Sequence, residues 1–102
     1  MREMLVHTVF FWLRGDLSEA DRAEFRAGVE SLRGIEAASA VYIGTPAATG
    51  ERPVIDASYD VCLTVLLPDV PAHDIYQEHP IHLTFIAQNK AKWTRVLVYD
   101  AD

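Results

Sequence analysis

The sequence predicts an α+β fold with a four-stranded antiparallel sheet, its elements in the order β-α-β-β-α-β. Three observations carry that expectation. Four runs rich in β-branched and aromatic residues, Met4–Leu13, Ala38–Gly44, Tyr59–Leu67 and Thr94–Tyr99, read as strands. Two stretches with apolar residues at helical spacing fall after the first and third of these runs, and the second and third runs are joined by a connection with no helical pattern. The 102 residues, half of them hydrophobic and 24% charged, suit one domain with a thin core and leave no room for a second.

The first strand is apolar in both alternating sets. Leu5, His7, Val9, Phe11 and Leu13 lie on one side and Val6, Thr8, Phe10 and Trp12 on the other, so both faces are expected to be covered. Ser18 with Asp21 forms a capping box in which Asp replaces the usual Glu. Phe25, Val29 and Leu32 then mark a buried helical stripe, with Gly34 expected to stop the helix. Arg22, Glu24, Arg26 and Glu30 form its solvated face. Residues 45–57, with Pro46, Gly50 and Pro53, make a long connection that is either a lid or a mobile loop.

The third strand is again apolar on both sides and ends at Pro68. A short helical piece runs from Pro71 to about Glu78, and a second begins at Pro80 with Ile81, Phe85, Ile86 and Trp93 in helical spacing. The two pieces are hinged at His79-Pro80, because proline disfavours helix at the residue before it. This order of elements is the ferredoxin-like, split-βαβ arrangement. Helices cover one sheet face, and the apolar other face calls for a second copy of the chain. We therefore expect a homodimer through the sheet faces, closing a dimeric α/β barrel.

Composition removes several function classes. Fifteen acidic against nine basic residues give a net charge of −6, and no basic cluster exceeds two neighbours, so neither nucleic acid nor a membrane surface is an expected partner. Phe10, Phe11 and Trp12 resemble a base-stacking platform, but no basic-aromatic motif accompanies them. Cys62 is the lone cysteine and reads as a buried strand residue, which leaves a cytoplasmic location as the simplest expectation. The N-terminal run is interrupted by His7 and Thr8 and shows no small-residue cleavage site, so it reads as a strand and not as a signal peptide. No apolar run approaches the ~20 residues of a membrane span. Glycine-rich phosphate loops and the serine-hydrolase elbow are both missing from the sequence.

The densest polar constellation is Tyr76-Gln77-Glu78-His79-Pro80-Ile81-His82. His82 falls in the first turn of the second helical piece, where the positive end of the helix dipole disfavours imidazolium. It is expected to be neutral at pH 7 with a lowered pKa, and so able to act as a general base. The alternative is that His79 and His82 only cap and pack. His7, mid-strand among apolar neighbours, is either a satisfied core group or the wall of a pocket. Tyr76 either points its phenol at the same place or packs, whereas His73 and Asp74 are expected to face solvent. A metal at His79 and His82, helped by Glu78 and Asp74, lacks HExxH, a second two-ligand motif and any thiolate, so no metal site is assigned.

The strings His7-Thr8-Val9-Phe10-Phe11-Trp12-Leu13, Tyr76-Gln77-Glu78-His79-Pro80-Ile81-His82-Leu83-Thr84-Phe85 and Val96-Leu97-Val98-Tyr99-Asp100 resemble the stress-responsive A/B barrel (Dabb) domain over nearly the whole chain. Within that family they resemble the olivetolic acid cyclase-type polyketide cyclases. The resemblance implies a dimeric α/β barrel and catalysis without cofactors. It also implies His82 as base and Tyr76 as holder of the carbonyl oxygen, with His7 at the matching strand-one position, where it is expected to orient the substrate or relay protons. His79, Phe85 and Val61 are the expected substrate-binding positions, Val61 standing where the cyclases carry a further pocket histidine. The implied ligand is a small hydrophobic carbonyl or phenolic compound and the implied reaction a cyclisation of aldol type. A non-catalytic stress-response dimer that binds a small hydrophobic molecule is the alternative, and a cofactor-free monooxygenase has only fold similarity behind it.

Overall fold

The computed structural model describes residues 4–102; Met1–Glu3, at the head of the N-terminal run, lie outside the described residues. Its elements are β1 (Leu5–Leu13), α1 (Glu19–Ser31), β2 (Ala40–Gly44), β3 (Val61–Leu67), α2 (Val70–Glu78), α3 (Pro80–Asn89) and β4 (Trp93–Ala101). The four strands form one sheet in the order β2-β3-β1-β4, antiparallel throughout, which is the ferredoxin-like α+β fold. All three helices pack on one face of it.

Local chemistry accounts for most boundaries. Ser18 Oγ accepts the Asp21 N–H at 3.0 Å and opens α1. Asp69 does the same for α2, its Oδ1 accepting the Ala72 N–H at 2.9 Å. Pro80 holds His79 extended, with ψ of 140°, and divides α2 from α3. Three sequence expectations shift. Gly34 does not end α1 through a left-handed conformation: the helix tightens into a 3-10 turn over Leu32–Gly34, and among the described residues Gly50 is the glycine with positive φ. What Gly34 supplies is room, since a Cβ there would stand 3.2 Å from Ile81 Cδ1. Trp93 belongs to β4 and not to the last helix, because a 3-10 turn over Lys90–Lys92 ends the helical run. β4 then reaches Ala101 by pairing along the length of β1.

The core lies between sheet and helices. Leu5, Val9 and Phe11 of β1 and Val61, Leu63, Val65 and Leu67 of β3 are buried against Phe25, Val29, Leu32, Ile35 and Phe85. Phe11, Phe25, Phe85 and Trp93 form an aromatic cluster with ring centroids 5.3–6.4 Å apart. Gly28 lets α1 and α3 approach closely, as a Cβ at that position would lie 2.6 Å from Asn89 Nδ2. Buried Asn89 donates to the Phe85 carbonyl and accepts from Lys92 Nζ, which also reaches Glu24 Oε1 at 2.8 Å. Glu24 is thus tied to α3's end and is not simply part of a solvated face.

The opposite sheet face carries Val6, Thr8, Phe10 and Trp12, all half-buried, together with exposed Tyr99. Arg95 stacks over Trp12 at 4.4 Å and Phe10 meets Tyr59 at 4.9 Å. Cys62 lies half-buried on this face, opposite Phe10, and is not a core residue as expected. The 45–57 connection has no helix or strand and ends against this face, where Trp12 Nε1 donates to Ser58 Oγ at 3.1 Å. No helix among the described residues is long and apolar enough to cross a membrane.

Candidate active site

The period of β1 turns His7 toward the helices, and strand register places it between Val65 of β3 and Asp100 of β4. It is 4% exposed, and its Nδ1 donates to Asp100 Oδ1 at 2.5 Å. That bond answers the cost of an imidazole in an apolar layer, and it fixes the tautomer that leaves Nε2 as acceptor. Helix α2 supplies Tyr76 and, one turn earlier on the same face, His73. His82 enters from the first turn of α3. Ring centroids run His73–His7 at 5.2 Å, His7–Tyr76 at 5.8 Å and Tyr76–His82 at 5.0 Å, a continuous aromatic strip between sheet and broken helix.

A cavity of about 190 Å³ opens beside this strip. His7, Val9, Phe11, His82 and Phe85 contribute to its wall, and half-exposed Val96 and Val98 border it on the β4 side. Apolar walls with a few polar groups are what a small-molecule site requires. Three polar atoms here are buried without a hydrogen-bond partner among the described residues: the Tyr76 hydroxyl, the Gln77 side-chain carbonyl and His82 Nδ1. Such orphans are rare in folded proteins, and each calls for a partner that the chain's own side chains do not supply.

Burial pushes the Tyr76 phenol above its ordinary value of 10.0, so it stays a neutral donor. Burial also lowers His82 below 6.5, with the nearby His7 and His73 adding to the effect and the Gln77 backbone opposing it. The direction is the one expected from the helix N-terminus, but desolvation is its largest cause. A second hollow of about 150 Å³, lined by Phe10, Trp12, Asp56, Tyr59, Leu97 and Tyr99, lies on the open sheet face and contains no histidine.

The structure therefore brings together His7, Tyr76, His82 and Phe85. Of these Tyr76 is fully buried behind the cavity wall and does not line it, and neither His79 nor Val61 reaches the cavity. His79 Nδ1 accepts the Ile81 N–H at 3.1 Å as the cap of α3, and Val61 is packed in the core while its neighbour Leu63 reaches the wall. None of residues 45–57 lines the cavity either. His73 is the other departure: its side chain is 20% exposed and stacks edge-on against His7, while adjacent Asp74 is exposed as expected. The sequence reading missed Asp100 and His73. Helical spacing from Tyr76 could have found His73, and pairing the first strand with the last could have found Asp100. The capping bond also removes His79 from the metal grouping weighed around His82, whereas His7, His73 and Asp100 do converge, each offering one ligand atom within 4.8 Å of the others.

The model of the Stress responsive A/B Barrel Domain matches residues 5–102. No curated protein matches. Among solved structures, a hydroxynitrile lyase from Passiflora edulis superposes with a TM-score of 0.79 at 17% identity, over 99% of this chain and 94% of that one. A Dabb family protein with a ferredoxin-like fold from Mesorhizobium loti gives 0.76 at 22% identity, over 97% and 95%. A dimeric ferredoxin-like protein from Thermobifida fusca gives 0.78 at 13% identity, over 98% and 91%. At these identities the three share its fold.

Proposed function

The chain belongs to the stress-responsive A/B barrel family, and from that premise we propose that it is an acid/base enzyme acting on a small hydrophobic carbonyl compound, of the polyketide cyclase or aldol type. One observation carries the reading: the neutral imidazole of His82, on the wall of a small, largely apolar cavity, meets the neutral phenol of Tyr76 packed behind it, each with an unpartnered polar atom. His82 Nδ1 takes a proton from the carbon next to a carbonyl. The Tyr76 hydroxyl holds the oxygen on which the enolate charge develops. The enolate carbon then attacks a second carbonyl, and the new alkoxide receives the proton back from His82. His7, anchored by Asp100, orients the substrate from the sheet side. That a neighbour of the same fold is a hydroxynitrile lyase supports the view that this architecture can host lyase chemistry.

The test is turnover of β-polyketones, followed by mass spectrometry. Replacing His82 by Ala is expected to lower the rate by about 10²–10⁴, and Tyr76→Phe to lower it while the fold persists. An unchanged rate in His82→Ala refutes the assignment.

A second reading rests on the apolarity of the same walls, Val9, Phe11, Phe85 and Ile86: a non-catalytic stress-response dimer that holds a small hydrophobic ligand. His82→Ala would then leave ligand binding in place and cost stability alone, about 1–3 kcal/mol. Both readings take the chain as a homodimer joined through its open sheet faces, which the dimeric neighbours and the exposed aromatics of that face support.

A further inference from the structure

We propose that His7, His73 and Asp100 form a binding site for one late first-row divalent ion of the Zn²⁺ class. The three come from β1, α2 and β4, far apart in the chain, and each offers one ligand atom within 4.8 Å of the others. Two imidazoles and a carboxylate are the donor set of open zinc sites, which keep a further position for water or substrate. Mg²⁺ and Ca²⁺ prefer all-oxygen sets and fit these donors poorly.

A second observation points the same way. His73 Nδ1 donates to the Asp74 carboxylate at 3.1 Å, which orients the ring and leaves Nε2 as its free lone pair. A carboxylate on the far nitrogen is the usual support of a metal-bound histidine. Asp74 is itself exposed and has no core role to explain the contact. Rigidity is graded sensibly across the site. The ring of His7 is fixed by burial, whereas the Asp100 side chain is 42% exposed and can swing. Metal–ligand bonds of about 2.0–2.2 Å place donors roughly 3.3 Å apart, so the His7–Asp100 contact at 2.5 Å opens and the partly exposed His73 ring adjusts as the ion is taken up. The arriving ion displaces the proton that His7 Nδ1 now donates to Asp100, and the ring takes up a proton at Nε2 in its place, so it remains a neutral imidazole with no net proton released.

The site shares His7 with the cavity, but His73 and Asp100 lie outside the cavity wall, so occupancy can be read without any reaction. The experiment uses the untagged full chain, stripped with a chelator, with Zn²⁺ titrated by calorimetry and Co²⁺ by its visible d–d absorption. We expect one ion per chain and the intense Co²⁺ bands of a low-coordinate site, with no comparable heat from Mg²⁺. His73→Ala and the isosteric Asp100→Asn should each weaken binding by ~100-fold or more, and Asp74→Asn by about 10–100-fold. His79→Asn, which keeps a cap at α3 and removes the imidazole, should leave binding unchanged. The proposal is overturned if neither ion binds at millimolar concentration. It is equally overturned if Asp100→Asn, folded by circular dichroism, binds as the wild type does, or if binding is lost in His79→Asn.

Discussion

The two faces of the sheet are drawn from the same strands and meet different fates. On β1, Leu5, His7, Val9 and Phe11 are buried beneath the helices, while the alternating Val6, Thr8, Phe10 and Trp12 are only half-buried. On β1 and β3 the covered face is apolar apart from His7, whose Nδ1 is satisfied by Asp100 beside it on β4. The open face mixes aromatics with Thr8, Thr64 and an arginine stacked on Trp12. A face sealed within one chain would not retain those polar groups, and a face built for water would not retain Phe10, Trp12 and Tyr99 together. That mixture, rich in aromatics and arginine, is the composition of a surface covered on association. On the proposed reading, stability and chemistry reside on one side of the sheet, and assembly on the other.

The sharpest way to break this division is at Phe25, fully buried on the covered face. Phe25→Ala is expected to cost about 3–5 kcal/mol in urea unfolding. A loss below about 1 kcal/mol would mean that the helices do not close a core there. Next comes Phe10→Asp on the open face, expected to weaken self-association by about 2 kcal/mol or more while far-ultraviolet dichroism is preserved. Sedimentation equilibrium reads it. An unchanged mass with an unfolded spectrum would move Phe10 into the chain's own core. Smaller again is Gly28→Ala, for which about 1–3 kcal/mol is expected, because the new methyl meets Asn89 Nδ2 and, at 3.0 Å, Phe85 Cδ1. Thermal melts should show this loss at unchanged dimer affinity, since α1 lies on the covered side.

The same division explains what was legible in the sequence. Alternation in β1 and β3, the Ser18 cap and the Pro80 break are local signals, and the structure follows them. The geometry of the candidate site was legible in part: His7, Tyr76, His82 and Phe85 lie close together, because strand and helix periods aim them at one layer. His79 could not be placed from spacing alone, since its backbone position at the cap makes a bond to Ile81 the nearest use for its ring. Asp100 was illegible for a different reason. Its partner lies 93 residues away, and only the register of β4 on β1 puts them side by side. Trp93 has helical spacing from Phe85 and still begins a strand, as packing in the aromatic cluster overrides the local pattern.

The smallest expected effect concerns His82 and tests whether the covered face holds a base or merely a packed ring. Its folded pKa is lowered from 6.5, first by burial. An unfolded chain takes up a proton at that residue near 6.5, while the folded chain resists until lower pH. Protons then favour the unfolded state, so the contribution of His82 to stability is complete above about 6.5 and declines as the pH falls toward the folded value. The slope cannot exceed about 1.4 kcal/mol per pH unit for one proton. His82→Gln, which cannot titrate, should show a shallower loss between about pH 7 and pH 5 than the wild type in urea titrations. If the wild type instead gains stability over that window relative to the variant, the folded protein prefers the imidazolium. A ring that is already protonated cannot take a proton from substrate, and the assignment of His82 as base would fall with that sign alone.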